Sequence, residues 1–160
     1  TVRFTQMAQL IAAGVRARPR VAPIIPGLTD ADETLDTLFR RSREAGATHA
    51  AINAMHLRPA ITASLRKHLA TKEAEAVLAH YGSSGQLRVC GGKSRQTPLP
   101  AGARVALFKR VRHIAAANGV QAHVCGCMNP DISNERCALA SEWPTRDEQG
   151  EQMDLLDKKP

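Results

Sequence analysis

Residues 105–124 read VALFKRVRHIAAANGVQAHV and show, in order, the patterns of a helix, a helix end and a strand. The apolar residues of the first part recur at the spacing of one helix face: Val105, Phe108, Val111, Ile114 and Ala115. Gly119 follows where a left-handed residue commonly ends a helix. Residues 121–124 then have the composition of a short strand. The stretch predicts a helix that leads directly into a strand.

The same order of helix, glycine and strand occurs twice upstream. The first copy has an amphipathic helix over residues 4–11, Gly14, and a strand over residues 21–25. The second copy has a helical stripe from Leu35 to Ala45, Gly46, and a strand over residues 49–57. Asp30 and Glu33 have the spacing of a capping box for that second helix.

Alternating helices and apolar strands predict a parallel sheet with right-handed crossovers. Three strands are too few to close an eight-stranded barrel, which needs about 250 residues. Residues 1–140 are therefore predicted to form an α/β unit, either an open sheet or the C-terminal part of a barrel. Residues 61–80 add one or two helices, and residues 81–102 are predicted to be a long loop. Residues 141–160 are polar and are predicted to be a flexible tail.

Composition narrows the class of protein. The chain has 160 residues, about one domain, and aromatic residues make up only 3%, so the core must be aliphatic. No apolar run approaches the roughly 20 residues of a membrane span. Four unevenly spaced cysteines differ from a secreted disulfide framework, which predicts a cytoplasmic protein. Because the chain starts at Thr1 within a helical pattern, we expect it to be a piece of a longer protein.

The net charge of +7 is unevenly distributed, because no acidic residue occurs between Glu75 and Asp131. Seven of the basic residues fall in this interval: Arg88, Lys93, Arg95, Arg104, Lys109, Arg110 and Arg112. Clustered Lys and Arg are typical of surfaces that bind the phosphate backbone of DNA. A solvated basic face without a partner is the alternative.

Three cysteines lie within thirteen residues, at Cys125, Cys127 and Cys137, and Cys90 lies far upstream. Thiolates this close along the chain can converge on one metal centre, which Cys90 would complete. Cysteine is a ligand of both zinc and iron–sulfur clusters, and the spacing does not separate the two. Reduced thiols without metal are the third alternative.

Ligands of parallel α/β folds bind beyond the carboxyl ends of the strands. Residues 23–30, 56–59 and 125–137 follow the three predicted strands, so we expect them to meet at one edge. His56 and Arg58 are the polar candidates there; the alternatives are a structural histidine and a surface charge. His123 is a further candidate ligand, or else a hydrogen-bonded core residue.

Four motifs carry a resemblance to a known family. They are VAPIIPGLTD at residues 21–30, EAGA at 44–47, HLRP at 56–59 and CGCMNPD at 125–131. Together they resemble the later half of the barrel of radical S-adenosylmethionine enzymes, in the branch related to spore photoproduct lyase. The resemblance covers about residues 4–139.

The resemblance implies a partial TIM-type barrel from an enzyme that cleaves S-adenosylmethionine reductively at a [4Fe–4S] cluster and acts in DNA repair. Pro23, Ile25 and Gly27 would lie near the adenosyl group, and His56 and Arg58 complete the predicted cofactor-binding set. The family's Cys-x3-Cys-x2-Cys motif is absent from this sequence. We therefore expect a missing N-terminal half to carry it, and this chain alone to be inactive. The late cysteines would then hold an auxiliary iron–sulfur cluster or zinc.

Two other hypotheses arise from the sequence. Residues 152–156, QMDLL, resemble the peptide by which bacterial repair proteins bind the sliding clamp; a weakly amphipathic tail end is the alternative. The chain as a whole could instead be a non-enzymatic nucleic-acid-binding module in which Cys90, Cys125, Cys127 and Cys137 hold structural zinc. A plain α/β domain with reduced thiols is the least specific interpretation.

Overall fold

The computed structural model describes residues 2–90 and 94–135. Its elements in chain order are α1 (Val2–Ala12), β1 (Arg20–Ile24), α2 (Asp32–Glu44), β2 (His49–Ala54), α3 (Pro59–His68), α4 (Thr71–Ala79), β3 (Leu87–Val89), β4 (Ser94–Gln96), α5 (Ala101–Ala117) and β5 (Gln121–Val124). The three predicted strands and the helices before them are all present. The α/β class is confirmed.

Three strands form one parallel sheet in the order β1–β2–β5. Val21 lies opposite Ile52, and Ile52 lies opposite Val124, so the central strand is β2. Because the strands run in one direction, their carboxyl ends lie at one side of the sheet, the carboxyl edge. The strands in the described part of the chain do not close into a barrel.

The hydrophobic core lies between this sheet and helices α2 and α5. Phe39 of α2, Ile52 of β2 and Val111 of α5 are completely buried within one cluster. Each such side chain contributes roughly 1.5–3 kcal/mol through its removal from water. Most of the remaining core residues are Val, Leu, Ile and Ala, as the low aromatic content predicts, but Met55, Tyr81 and Phe108 are also buried there.

Helices α2 and α5 both end at a glycine in the left-handed conformation. Gly46 has a φ of 91° and Gly119 a φ of 69°. These positive φ angles cost less conformational energy for glycine than for residues with a side chain. The next amide in each case reaches back to the helix: Ala47 N donates to Ser42 O at 3.0 Å, and Val120 N donates to Ala115 O at 2.9 Å. These are Schellman-type ends, and both predicted stops are confirmed.

The predicted capping box at the start of α2 is wrong. The N-cap residue is Ala31, which makes no side-chain capping bond. The Asp30 carboxylate instead accepts from Gly27 N at 2.7 Å and pairs with Arg110 of α5 at 2.6 Å. Asp30 therefore joins the turn after β1 to a distant helix, a contact that local spacing does not indicate.

The prediction of one long loop over residues 81–102 is also wrong, because β3 and β4 form an antiparallel hairpin there. Leu87 lies opposite Gln96, and Thr97 continues the pairing by an antiparallel bridge to Leu57. Strands of three residues are too short to show a recognisable alternation. The second predicted strand, residues 49–57, is also shorter than expected, because β2 ends at Ala54. Leu57 therefore forms its bridge to Thr97 outside the parallel sheet.

Helix α5 buries Phe108, Val111 and Ala115 of the predicted stripe, but not Val105. Val105 is 52% exposed, whereas Arg104 is only 1% exposed and lies one turn before Phe108 on the buried face. A guanidinium thus occupies a core position, and its partners lie at the carboxyl edge. None of the helices in residues 2–90 and 94–135 has the length and apolar character needed to cross a membrane.

Candidate functional site at the carboxyl edge

The three segments that follow β1, β2 and β5 lie together at the carboxyl edge. Met55 N donates to Ile24 O at 2.9 Å, which keeps the first two segments adjacent beyond the strand ends. Asn129 Nδ2 donates to Asn53 Oδ1 at 2.8 Å, which joins the third segment to the second. The predicted convergence of these segments on one edge is confirmed.

The first segment carries the residues predicted to lie near an adenosyl group. Pro23 is exposed within β1, Ile25 is half-buried, and Gly27 is exposed with a φ of 73°. The Thr29 hydroxyl accepts from Ile25 N at 2.9 Å and holds the turn. A Cβ at Gly27 would have His80 Nε2, 3.9 Å away, as its nearest neighbour. The backbone at Gly27 is therefore accessible to a ligand.

His56 is the most unusual side chain of the second segment. It is 4% exposed, and neither ring nitrogen has a hydrogen-bond partner among the described residues. Burial, and then the charge of Arg104, lower its pKa from 6.5 to about 4, although the nearby Asn129 amide and Asp131 carboxylate oppose the shift. The imidazole is consequently neutral at pH 7, with one nitrogen that can donate and one that can accept.

His56 belongs to a polar cluster that also contains the buried residues Asn53, Arg104 and Asn129 and the partly exposed Asp131. Arg104 donates from Nη1 to Asp131 Oδ1 at 2.9 Å and from Nη2 to Asp131 Oδ2 at 2.5 Å, a bidentate pair. Nη1 also donates to Asn129 Oδ1 at 3.0 Å. The hydrogen bonds from Arg104 hold the pKa of Asp131 below its ordinary value. The Arg104 charge is thus buried, whereas the Asp131 side chain that pairs with it is 33% exposed.

Arg58, the other predicted residue of the second segment, is exposed and occupies the N-cap position of α3. With the Gln96 amide oxygen turned toward the guanidinium, Gln96 accepts from Arg58 Nη2 at 2.5 Å. Because Gln96 is itself buried, this bond ties Arg58 to the β3–β4 hairpin. Arg58 is a positioned cation at the carboxyl edge.

The third segment brings the thiols to the same edge. Cys125 Sγ lies 2.8 Å from Cys127 Sγ, and Cys90 N donates to Cys127 O at 2.7 Å. Cys90 Sγ is 3.5 Å from Met128 Sδ. In the part of the chain that the structure describes, no three His, Cys, Asp or Glu side chains are grouped to hold a metal ion. Cys137 lies outside the described residues, so the four-thiolate set stays a prediction.

The predicted basic face is divided in the structure. Three of its seven residues are committed to ion pairs, Arg104 with Asp131, Arg110 with Asp30 and Asp32, and Arg112 with Glu135. Lys93 lies outside the described residues. The exposed basic residues that remain in the interval are Arg88, Arg95 and Lys109. In the described part of the interval, ion pairs therefore interrupt the run of basic side chains, and nucleic-acid binding stays a prediction.

His123 stacks on the ring of His49 with a centroid distance of 5.4 Å, and its Nδ1 lies 4.0 Å from Glu135 Oε2. It belongs to no metal-binding group within residues 2–90 and 94–135. His123 is half-buried, and its role as a ligand stays a prediction. The clamp-like residues 152–156 and the predicted tail, 141–160, lie outside the described residues.

Comparisons of the chain with protein-family models, with curated proteins and with solved structures found no match. A fold by itself does not define an activity. The function must therefore be inferred from the carboxyl edge.

Four residues of the polar cluster were not among the predicted site residues: Asn53, Arg104, Asn129 and Asp131. One signal for Arg104 exists, because it precedes Phe108 by one helical turn and so lies on the apolar stripe. Asn129 and Asp131 flank Pro130 directly after the clustered cysteines, which is a weak signal. No feature of the sequence singles out Asn53 as a site residue within an otherwise apolar strand.

Proposed function

We propose that this chain is the C-terminal part of an incomplete barrel from a radical S-adenosylmethionine enzyme that acts in DNA repair. The observation that supports this best is the carboxyl edge of three parallel strands, where buried His56 lies beside the segments with the family-like motifs. Ligand sites of parallel α/β folds occur at such edges.

The side chains at the edge are chemically suited to S-adenosylmethionine. Half-buried Ile25 and the accessible backbone of Gly27 suit the flat apolar surface of an adenine ring. Neutral His56 has one hydrogen-bond donor and one acceptor in a buried setting. These match the donors and acceptors at the edge of a purine. Exposed Arg58 offers a guanidinium for the carboxylate of the methionine part. Pro23 fits this set less well than Ile25 does, because Pro23 is exposed within β1.

The [4Fe–4S] cluster has to be held by another part of the protein, because the sequence contains no Cys-x3-Cys-x2-Cys motif. When bound, such a cluster supplies the electron that cleaves S-adenosylmethionine. In this proposal the present chain binds and orients the nucleoside and limits the access of water at the carboxyl edge. The chain alone is then inactive.

The test uses the full-length protein, purified without oxygen. We expect a brown protein that consumes S-adenosylmethionine in the presence of dithionite. His56→Gln should keep the brown colour but slow consumption about tenfold, the loss of one buried hydrogen bond to the ligand. His68→Gln, at an exposed histidine of α3, is the matched control. A colourless full-length protein that contains zinc would refute the proposal.

A second candidate function is a zinc-stabilised nucleic-acid-binding module. It is favoured by the hydrogen bond from Cys90 N to Cys127 O, which brings the remote cysteine to the clustered ones. In that case the chain should melt cooperatively with zinc bound and lose thermal stability when a chelator is added. Unchanged melting in the presence of chelator would exclude this function.

A further inference from the structure

We propose that a cavity between α3 and the β3–β4 hairpin binds a phosphate group. The cavity has a volume of about 440 Å³. Its polar lining consists of Arg58, Arg66, Arg95, Thr62, Thr97 and Gln86. We call it the arginine cavity. This inference does not depend on S-adenosylmethionine chemistry.

The charge of the arginine cavity is not neutralised by its own walls. Among the described residues that line it, none is acidic. Arg66 does pair with Glu75 at 3.1 Å, but through Nε, and both side chains are more than half exposed. Such exposed pairs are weak, and the terminal nitrogens of Arg66 remain as further donors. Three guanidinium groups around one space favour an anionic ligand.

The hairpin adds a second, independent observation. Arg88 of β3 lies directly opposite Arg95 of β4, so the two side chains share one face, and both are exposed. Like charges directly opposite each other destabilise a hairpin. An anion bound beside Arg95 would relieve this repulsion.

The walls of the cavity are held in place before any ligand binds. Leu57 N donates to Thr97 O at 2.7 Å, and Thr97 N donates to Leu57 O at 3.0 Å, which fixes the hairpin against the start of α3. Buried Gln96 orients the Arg58 guanidinium from the other side. A ligand would therefore meet preorganised donors, which lowers the entropic cost of binding.

Phosphate is the anion that matches these donors best, because the fork of a guanidinium pairs with two phosphate oxygens at once. The threonine hydroxyls can donate to further oxygens. No aromatic side chain is found in the described lining, so stacking on a base is not provided. The phosphate could come from a small molecule or from the backbone of a nucleic acid, and the two sources are distinguishable.

In the first arm of the test, the chain is titrated with inorganic phosphate, and binding is measured by calorimetry and phosphorus NMR. Arg95→Gln and Arg66→Gln should each weaken binding about tenfold, the effect of losing one charge-assisted hydrogen bond. Arg40→Gln is the matched control, since Arg40 forms a similarly exposed 3.1 Å pair with Glu44 on α2. It removes the same charge and should leave binding unchanged.

The second arm uses a short fluorescent single-stranded DNA without terminal phosphates. If the phosphate comes from a nucleic-acid backbone, Arg95→Gln should weaken DNA binding and reduce the salt slope by about one, and Arg40→Gln should not. If the phosphate comes from a small molecule, Arg95→Gln should weaken the binding of inorganic phosphate and leave the binding of DNA unchanged. Thermal melting checks folding, because removal of the repulsion with Arg88 should leave Arg95→Gln at least as stable as the wild type. The proposal is overturned if neither probe distinguishes the two cavity variants from Arg40→Gln.

Discussion

At the scale of single residues, the guanidinium of Arg104 controls the electrostatics of the carboxyl edge. It is 1% exposed and pairs in bidentate fashion with Asp131. Its charge also helps to lower the pKa of His56, after burial, and so keeps the imidazole neutral. Burial and this neighbouring cation thus act together on the charge state of the histidine.

Replacement of Asp131 by asparagine should be strongly destabilising, because it leaves the buried Arg104 charge without a counter-ion. We expect the free energy of unfolding to fall by about 3 kcal/mol. Glu44→Gln, which removes one partner of the exposed pair with Arg40, should cost less than about 1 kcal/mol. Urea unfolding of both variants measures the difference, and equal losses would show that the Arg104 guanidinium is not buried in solution.

The burial of His56 predicts a specific dependence of stability on pH. The folded-state pKa of about 4 lies below the unfolded value of 6.5, so the unfolded chain takes up a proton first as the pH falls. Stability is therefore complete above pH 6.5 and is lost progressively between 6.5 and 4. The loss should reach about 2–3 kcal/mol near pH 4.5.

Urea unfolding of the wild type and of His56→Gln across this range tests the prediction, since the variant should lack that part of the pH slope. The hydrogen bonds from Arg104 hold the pKa of Asp131 below its ordinary value, so the contribution of this carboxylate is lost at lower pH than that of His56. Parallel pH profiles of the two proteins would contradict a buried, neutral His56.

At the scale of elements, the loop after β5 is packed too tightly to accept a side chain at its centre. A Cβ at Gly126 would lie 2.5 Å from Glu135 O and 2.8 Å from Ser133 O, both backbone atoms. Gly126 N also donates to Glu135 O at 3.1 Å. Residues 133–135, where this loop returns, therefore lie directly against the Cys125–Cys127 turn.

Gly126→Ala should consequently destabilise the protein by about 1–3 kcal/mol, because the backbone of the loop must move. Gly102→Ala is the control, since a Cβ there has no neighbour within 4 Å and alanine favours the first turn of α5. It should be neutral or slightly stabilising. Thermal melting of both variants gives the comparison, and a neutral Gly126→Ala would mean that this loop is open in solution.

At the scale of the whole molecule, the cysteines bring together segments that lie far apart in the chain. Cys90 follows the β3 strand and Cys125 follows β5, yet Cys90 N bonds to Cys127 O. The backbones of Cys90 and Cys127 are therefore adjacent, whereas the thiols of the described residues are not grouped as metal ligands. Cys137 lies outside the described residues, so the four-thiolate hypothesis stays a prediction.

If the four cysteines hold an auxiliary iron–sulfur cluster or zinc, the anaerobically purified chain should retain iron or zinc. Cys90→Ser and Cys137→Ser should each lose most of the metal. Met128→Leu alters the sulfur that contacts Cys90 Sγ but removes no thiolate, so it should retain the metal. Elemental analysis decides between these outcomes, and a metal-free wild type would refute a metal centre.

The sequence by itself determined the order of the helices and the three parallel strands, and the edge at which a site would form. Apolar periodicity predicts α2, α5 and the three parallel strands, and glycines at positions 46 and 119 predict the helix ends, because both signals are local. The direction of the strands then places His56, Arg58 and the cysteine loop at one edge.

Only the tertiary structure decided which polar groups are buried and which remain accessible. Arg104 meets Asp131 across 27 residues of sequence, and Asp30 meets Arg110 across 80. The arginine cavity likewise needs α3 and a hairpin whose three-residue strands have no recognisable pattern. Charge pairing depends on distance in space, which local spacing does not encode, and so the chemistry of the edge emerged only with the fold.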